Sequence, residues 1–182
     1  MTATIDFREH IRSVKDYPKP EILFRDITTL LEKPSVLRAA AESLAALCEG
    51  KGIEKVAVVE SRGFLLGGVI AYLIGAGLVI LRKKGKLPFT THAVEYGLEY
   101  GTDTIEIHQD AIRPGERVWL HDDLIATGGT ISAAAELVRR CGGDLRGASF
   151  LIELSFLPGR ERLVQAGVPE IHALVAYDGE SE

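Results

Sequence analysis

Short apolar runs rich in β-branched residues recur along this chain, and most of them lead through a turn into a helical pattern. The runs span 55–60, 78–84, 117–123, 146–154 and 171–177. Helical patterns cover 35–49, 64–74, 131–143 and 159–167. Strands that are apolar along their whole length are typical of a parallel sheet with helices on both faces. Because crossovers between parallel strands are right-handed, the patterns predict a doubly wound α/β fold with a mainly parallel five-stranded sheet.

One segment, 63–81, carries no charge over its whole length and is long enough to suggest a membrane span. Glycines interrupt it, and the triplet Gly75-Ala76-Gly77 is a turn signal. We therefore interpret the segment as a buried helix over 64–74 followed by a buried strand over 78–82.

The composition favours one globular domain over 1–182, with 46% hydrophobic residues. A formal net charge of -5 argues against a nucleic-acid partner. Cys48 and Cys141 have neither a CxxC spacing nor a nearby histidine, so we interpret them as free thiols in a reducing compartment. The first residues carry charges throughout and lack the apolar core of a secretory signal. We expect a cytoplasmic protein that binds neither membranes nor nucleic acid.

The stretch HDDLIATGGT (121–130) has the character of an anion-binding loop, because it follows a strand and precedes a helix. Gly128 and Gly129 allow the backbone to approach a phosphate closely. Thr127 and Thr130 add hydroxyl donors, and Thr130 is also a candidate helix cap. The loop matches neither the Walker A pattern nor the dinucleotide fingerprint.

Two adjacent carboxylates, Asp122 and Asp123, precede this loop and would repel a phosphate placed beside them. They fit a ligand whose vicinal hydroxyls donate hydrogen bonds to them while the loop amides bind its phosphate, as in a ribose 5′-phosphate. The alternative is a pair of solvated acids that caps the loop.

The stretch VWLHDDLIATGGTISAAAELV (118–138) resembles the phosphoribosyl-pyrophosphate (PRPP) signature of the type I phosphoribosyltransferases. Further stretches are similar to the adenine-specific members: ILFRDIT (22–28), ESRGF (60–64), LRKKGKLP (81–88), LEYG (98–101) and LPGRERL (157–163). The resemblance covers nearly the whole chain. It implies a pentosyltransferase of purine salvage that converts adenine and PRPP to AMP and pyrophosphate. His121 departs from the pattern of many relatives, and we expect it beside the site without a role in it.

The resemblance assigns the sugar-phosphate part of PRPP to the acids and the loop. It implies a phosphate site formed by Ala126, Thr127, Gly128, Gly129 and Thr130. Asp122 and Asp123 would bind the ribose, and either of them would bind Mg²⁺ directly or through water.

Pyrophosphate requires a second anion site, which the resemblance places in two segments. Ser61 and Arg62 would form one part, with a cis peptide bond expected near Glu60–Ser61. Arg82, Lys83 and Lys86 would form the other, within a basic run that also contains Lys84. The alternative for that run is a solvated basic surface.

The base requires a flat apolar slot with hydrogen-bonding edges. The resemblance implies a hood over 1–34, with the Phe24 ring and Leu124 on the two faces of the purine and the backbone of Leu23 and Arg25 at its edge.

The same resemblance implies a mobile lid over 84–108, which we expect to be hairpin-like. Glu99 would be the catalytic acid/base, and Tyr100 would help to close the lid. Glu95, in a near-duplicate triplet, is the competing acid.

A homodimer is also implied. Two alternatives for the function stay open: a phosphoribosyltransferase for another base, and a non-catalytic regulator that senses PRPP.

Overall fold

The computed structural model describes residues 5–97 and 101–179. Within them, a short 3-10 helix (Phe7–His10) precedes the other elements. The strands are β1 (Arg12–Lys15), β2 (Leu23–Asp26), β3 (Lys55–Val59), β4 (Gly77–Lys83), β5 (Thr91–Gly97), β6 (Thr102–His108), β7 (Arg117–Ile125), β8 (Asp144–Leu154) and β9 (Ile171–Tyr177). The helices are α1 (Thr28–Leu31), α2 (Pro34–Ala46), α3 (Gly63–Ile74), α4 (Gly129–Arg140) and α5 (Gly159–Gln165).

The main sheet has seven strands in the order β5-β6-β4-β3-β7-β8-β9. The five strands from β4 to β9 in this order pair in parallel, as predicted. The expected total of five strands is wrong, because the hairpin β5–β6 joins the edge of the sheet in antiparallel orientation. It does so because its apolar positions Val94, Ile105 and Ile107 are buried in the core.

Helices cover both faces of the sheet, which is the predicted doubly wound arrangement. Buried side chains of α2 and α3 form one core cluster with Trp119 of β7. Those of α4 and α5 form the other with the neighbouring Leu120. Since successive side chains of a strand point to opposite faces, one apolar strand contributes to both clusters.

Glycines bring α3 unusually close to the sheet. A Cβ on Gly67 would lie 2.1 Å from Val58 Cγ1, and one on Gly63 would lie 2.8 Å from Asp122 Oδ1. Gly63 and Gly67 are therefore packing positions that place the start of α3 against β3 and the end of β7, whereas Gly75 ends the helix as its left-handed C-cap. Among the described helices, none combines the length and the apolar character that crossing a membrane would require.

The N-terminal segment forms a small antiparallel ribbon of β1 and β2, in which Val14 pairs with Phe24. It is anchored by Ile27 and Leu30, which are 1% and 0% exposed and belong to the α2/α3 cluster. The ribbon thus stands on the core while its strands lie outside the main sheet.

Candidate functional site

The loops that follow the parallel strands gather at one edge of the sheet. Strand β3 ends at Val59, β4 at Lys83 and β7 at Ile125, and the segments beyond them contain most of the predicted site residues. In open α/β sheets this is the edge at which ligands bind.

The predicted phosphate loop lies between β7 and α4. Gly128 is the N-cap of α4, with φ 81° and ψ 0°, a left-handed conformation that favours glycine. The expectation that Thr130 caps the helix is wrong, because Thr130 lies within the first turn. No side chain caps this helix, so its first amides stay available for an anion.

The two adjacent acids are poorly compensated. Asp123 is 5% exposed, and burial raises its pKa although the Arg62 charge acts to lower it. Burial and the neighbouring Asp123 charge raise the pKa of Asp122 well above its usual value. Asp123 is buried and Asp122 is half-buried, which disfavours a solvated acid pair and favours a ligand that offers hydroxyl donors or a cation.

Arg62 connects the acids with the N-terminal ribbon. Its Nε lies 2.8 Å from Asp123 Oδ2, and its Cζ lies 4.9 Å from the Phe24 ring centroid. Arg62, predicted to bind pyrophosphate, thus contacts both Asp123, predicted to bind the ribose, and Phe24, predicted to bind the base.

A glutamate that the sequence analysis did not single out organises the basic run. Glu60 accepts hydrogen bonds from Arg82 Nε (3.3 Å), Lys86 Nζ (2.5 Å) and the Lys83 amide (3.0 Å). Burial acts to raise the pKa of Glu60, but the hydrogen bonds from Lys86, the Lys83 amide and Arg82 lower it to about 2. Glu60 therefore pairs with part of the basic run and holds it in place, whereas a solvated basic surface would have no such partner. The sequence feature that could have identified Glu60 is its position as an acid at the end of a strand.

The loop after β3 has the expected backbone feature. The Glu60–Ser61 peptide bond is cis, and Ser61 is exposed. Lys83 forms a separate ion pair with Asp103 of the hairpin, with 2.9 Å between Lys83 Nζ and Asp103 Oδ2. Lys84 is exposed.

The side chain of Arg25 is engaged within the fold, so its contact with a base has to come from its backbone. Its guanidinium Cζ lies 3.7 Å from the Tyr177 ring centroid, and its Nη1 donates to Ser13 Oγ at 2.6 Å. Leu23 and Arg25 are alternate residues of β2, so their backbone groups face the same edge of that strand. Phe24 packs edge-on against Tyr17, with ring centroids 5.1 Å apart.

Gly97, the last residue of β5, lies over the phosphate loop. A Cβ on Gly129 would lie 2.9 Å from the Gly97 carbonyl oxygen. Glu99 and Tyr100, predicted to be catalytic, lie outside the described residues. The competing Glu95 is exposed on β5 and lines a cleft of about 620 Å³ beside the phosphate loop. Leu124 is half-buried and packs against the α2/α3 core cluster.

His121 lies in the core between the sheet and α3, beside the site as expected. It is fully buried, its Nδ1 is 3.2 Å from Ser149 Oγ, and burial lowers its pKa to about 4.

In the described part of the chain, no three histidine, cysteine or acidic side chains converge as metal ligands. Asp122 and Asp123 nevertheless form a hard oxygen donor set of the kind that fits Mg²⁺ when substrate oxygens and water complete its coordination.

Comparison with known proteins agrees with this geometry. The sequence pattern of the phosphoribosyl transferase domain family matches residues 26–151. A curated adenine phosphoribosyltransferase of Parvibaculum lavamentivorans is 52% identical over 175 residues, which are 96% of this chain and 99% of that protein. One of Rhodopseudomonas palustris is 51% identical over 174 residues, 96% of each chain.

Solved structures give the same result. The adenine phosphoribosyltransferase of Rhodothermus marinus superposes with a TM-score of 0.89 at 53% identity, covering 94% of this chain and 96% of that one. The Giardia lamblia enzyme, solved in complex with 9-deazaadenine, superposes with a TM-score of 0.90 at 34% identity, covering 97% of this chain and 100% of that one.

Proposed function

The chain belongs to the adenine phosphoribosyltransferase family, and on that premise we propose that it transfers the phosphoribosyl group of PRPP to adenine, with AMP and pyrophosphate as products. The observation that carries this proposal is the poorly compensated acid pair, with Asp123 buried and Asp122 half-buried, directly before an uncapped helix N-terminus. A ribose 5′-phosphate satisfies both halves of this arrangement at once.

The sugar phosphate lies along the end of β7. The amides and hydroxyls of Ala126 to Thr130 bind the 5′-phosphate, and Asp122 and Asp123 accept hydrogen bonds from the ribose hydroxyls. Binding offsets the repulsion between the two carboxylates, because the hydroxyls add donors to those that the Asp123 amide and Arg62 already provide.

Pyrophosphate lies between the loop after β3 and the basic run. Ser61 and Arg62 contact it from one side, and Arg82, Lys83 and Lys86 contact it from the other. Glu60 keeps Arg82 and Lys86 close together, so that both cations are already positioned to bind the pyrophosphate.

Mg²⁺ fits the two acids as a shared oxygen donor set, held directly or through water. When bound, it neutralises charge on the leaving pyrophosphate and orients the ribose oxygens. The protein residues position the reactants and exclude water around them.

Adenine lies against Phe24 under the hood formed by 1–34, with Leu124 on its other face. Backbone groups of Leu23 and Arg25 form hydrogen bonds with its edge. They distinguish adenine from hypoxanthine, because the amino group of adenine is a donor where hypoxanthine has an accepting carbonyl. The contact of Arg62 with Phe24 supports this placement, since it brings the hood strand beside the acid pair.

Departure of pyrophosphate gives the ribose oxocarbenium character, so catalysis rests mainly on positioning and on charge neutralisation. Glu99 acts as the general acid/base for the proton of the purine, and Tyr100 helps to close the lid formed by 84–108. The position of Gly97 over the phosphate loop supports this, because Glu99 follows only two residues later.

We also infer that the protein is a homodimer. Exposed apolar side chains of α3 and β4 form one face: Leu65, Val69, Tyr72, Leu73, Leu78 and Ile80. The two elements are neighbours there, because a Cβ on Gly68 would lie 4.0 Å from Leu78 Cδ2. Monomeric proteins rarely expose a contiguous apolar patch of this kind, so a second copy covers it. The buried free thiols Cys48 and Cys141 fit a cytoplasmic setting.

The decisive experiment compares adenine, hypoxanthine and xanthine as acceptors with PRPP, with and without Mg²⁺, by measuring nucleotide and pyrophosphate release. We expect turnover with adenine that requires the metal. Turnover only with another base would reassign the substrate. Tight PRPP binding without any nucleotide product would instead identify a sensor.

A further inference from the structure

The segment LPGRERL (157–163) has no part in the proposed function, yet it lies against the phosphate loop. A Cβ on Gly128 would lie 2.8 Å from Gly159 Cα and 2.9 Å from the Gly159 carbonyl oxygen. In the reverse direction, a Cβ on Gly159 would lie 2.3 Å from the Ala126 carbonyl oxygen and 2.7 Å from Ile125 Cγ1. The start of α5 and the back of the loop are thus in backbone contact, with no room for a side chain on either.

An ion pair between the exposed Arg160 and the buried Glu153, together with an apolar anchor, fixes α5 in this position. Arg160 Nε and Nη2 donate to the two oxygens of Glu153, at 2.7 and 2.5 Å, and Glu153 is 6% exposed at the end of β8. A bidentate pair of this kind sets both distance and orientation. On the next turn of α5, Leu163 is fully buried in the core cluster of α4. The element behind the loop is therefore tied to the sheet at two points.

We propose that Gly159, Arg160 and Glu153 are positioning residues that hold the backbone of 126–128 in the shape that binds the 5′-phosphate of PRPP and AMP. They do not contact the ligand. Gly159 sets how closely α5 approaches, and the Arg160–Glu153 pair keeps it there. This inference rests on the proposed function, since it assumes that the loop binds a phosphate.

The test separates phosphate binding from binding of the rest of the nucleotide. AMP and adenosine differ only in the 5′-phosphate, so calorimetric titration of both ligands isolates the contribution of the loop. In Gly159→Ala, the added methyl group has to displace the Ala126 carbonyl, and the loop amides with it. We expect AMP affinity to fall about 10- to 100-fold, which corresponds to one charge-assisted hydrogen bond. Adenosine affinity should stay unchanged.

Gly179→Ala is the control, because a methyl group there meets nothing within 4 Å and the residue lies outside every proposed site. It should bind both ligands like the wild type. Should Gly159→Ala fail to fold, as judged by circular dichroism, Arg160→Lys decides. This variant keeps the charge but loses the bidentate geometry, and we expect about 3- to 10-fold weaker AMP binding with unchanged adenosine binding. Arg146→Lys, in the exposed pair with Asp144, is its control.

The outcomes distinguish this inference from the proposed function. If the folded variants retain the preference of the wild type for AMP over adenosine, or lose affinity for both ligands equally, the positioning role is refuted and the phosphate site stands. If the wild type itself binds AMP no more tightly than adenosine, the phosphate site and the proposed function fail together.

Discussion

At the residue scale, the proposed ribose-binding role of Asp122 and Asp123 predicts a cost in stability. Each carboxylate loses water at the end of β7, and among the described residues Arg62 alone lies within ion-pair distance of either of them. In the free protein they are a destabilising feature, and a ligand that donates hydrogen bonds removes part of that penalty.

Replacement of Asp122 by Asn should therefore stabilise the protein while weakening AMP binding. We expect an increase of about 0.5–2 kcal/mol in the free energy of unfolding at neutral pH, measured by urea titration. Because burial raises the folded-state pKa of Asp122 above its usual value, the wild-type carboxyl becomes protonated as the pH falls through that raised pKa, and the folded wild type gains stability there. The advantage of Asp122→Asn should accordingly shrink at acidic pH.

Asp144→Asn is the control for this prediction, because Asp144 pairs with Arg146 on the surface. It should change stability by less than about 0.5 kcal/mol. A destabilised Asp122→Asn with unchanged AMP affinity would contradict both the strain and the ribose role.

The near-duplicate triplets of the hairpin allow a matched test of the acid/base. We expect Glu99→Gln to lower kcat by about 10²- to 10⁴-fold with little change in PRPP affinity, because the proton transfer is lost while the binding contacts remain. Glu95→Gln makes the same chemical change four positions earlier and should retain turnover. The reverse pattern in steady-state kinetics would transfer the role to Glu95.

At the scale of elements, the strands of the hairpin β5–β6 are anchored in the core. Ile105 and Ile107 are 2% and 0% exposed in the cluster with α4, and Arg140 Nη1 donates to the Ala93 carbonyl at 3.0 Å. Opening the whole hairpin would expose this apolar surface, so we expect both strands to stay in place during catalysis.

Ile107→Ala should consequently destabilise the whole protein by about 2–5 kcal/mol, the usual range for such a truncation in a core. The exposed Thr102, at the end of the hairpin, serves as the comparison, and Thr102→Ala should have little effect. Urea unfolding measures both. A small effect of Ile107→Ala would mean that the strands are not anchored in this way.

For the molecule as a whole, we expect the proposed dimer to form through the apolar face of α3 and β4. Val69→Lys places a charge in that face, and we expect it to be a monomer by light scattering coupled to gel filtration, under conditions in which we expect the wild type to be a dimer. Val164 of α5 is more exposed, at 61%, and lies outside the face, so Val164→Lys should remain a dimer. A monomeric wild type would remove the basis for this interface.

Much of this architecture could be predicted because it depends on local patterns. The strand over 171–177 agrees with the structure to the residue, since a continuous apolar run needs only burial to become a strand. The loop at 126–130 was recognisable because glycines and threonines between a strand and a helix have few other uses. The hairpin was recognised, but its pairing with β4 was not, because period-two alternation does not reveal which edge a strand joins.

The sequence by itself determined the fold class, the order of the elements and the types of chemical group at the binding edge, because each depends on periodicity or on neighbours in the chain. The tertiary structure alone decided which distant groups meet: Glu60 with Arg82 and Lys86, Arg62 with Asp123, and Gly159 with Gly128. Such contacts join loops after different strands, and their distances follow from how closely helices pack on the sheet. No local pattern encodes that separation.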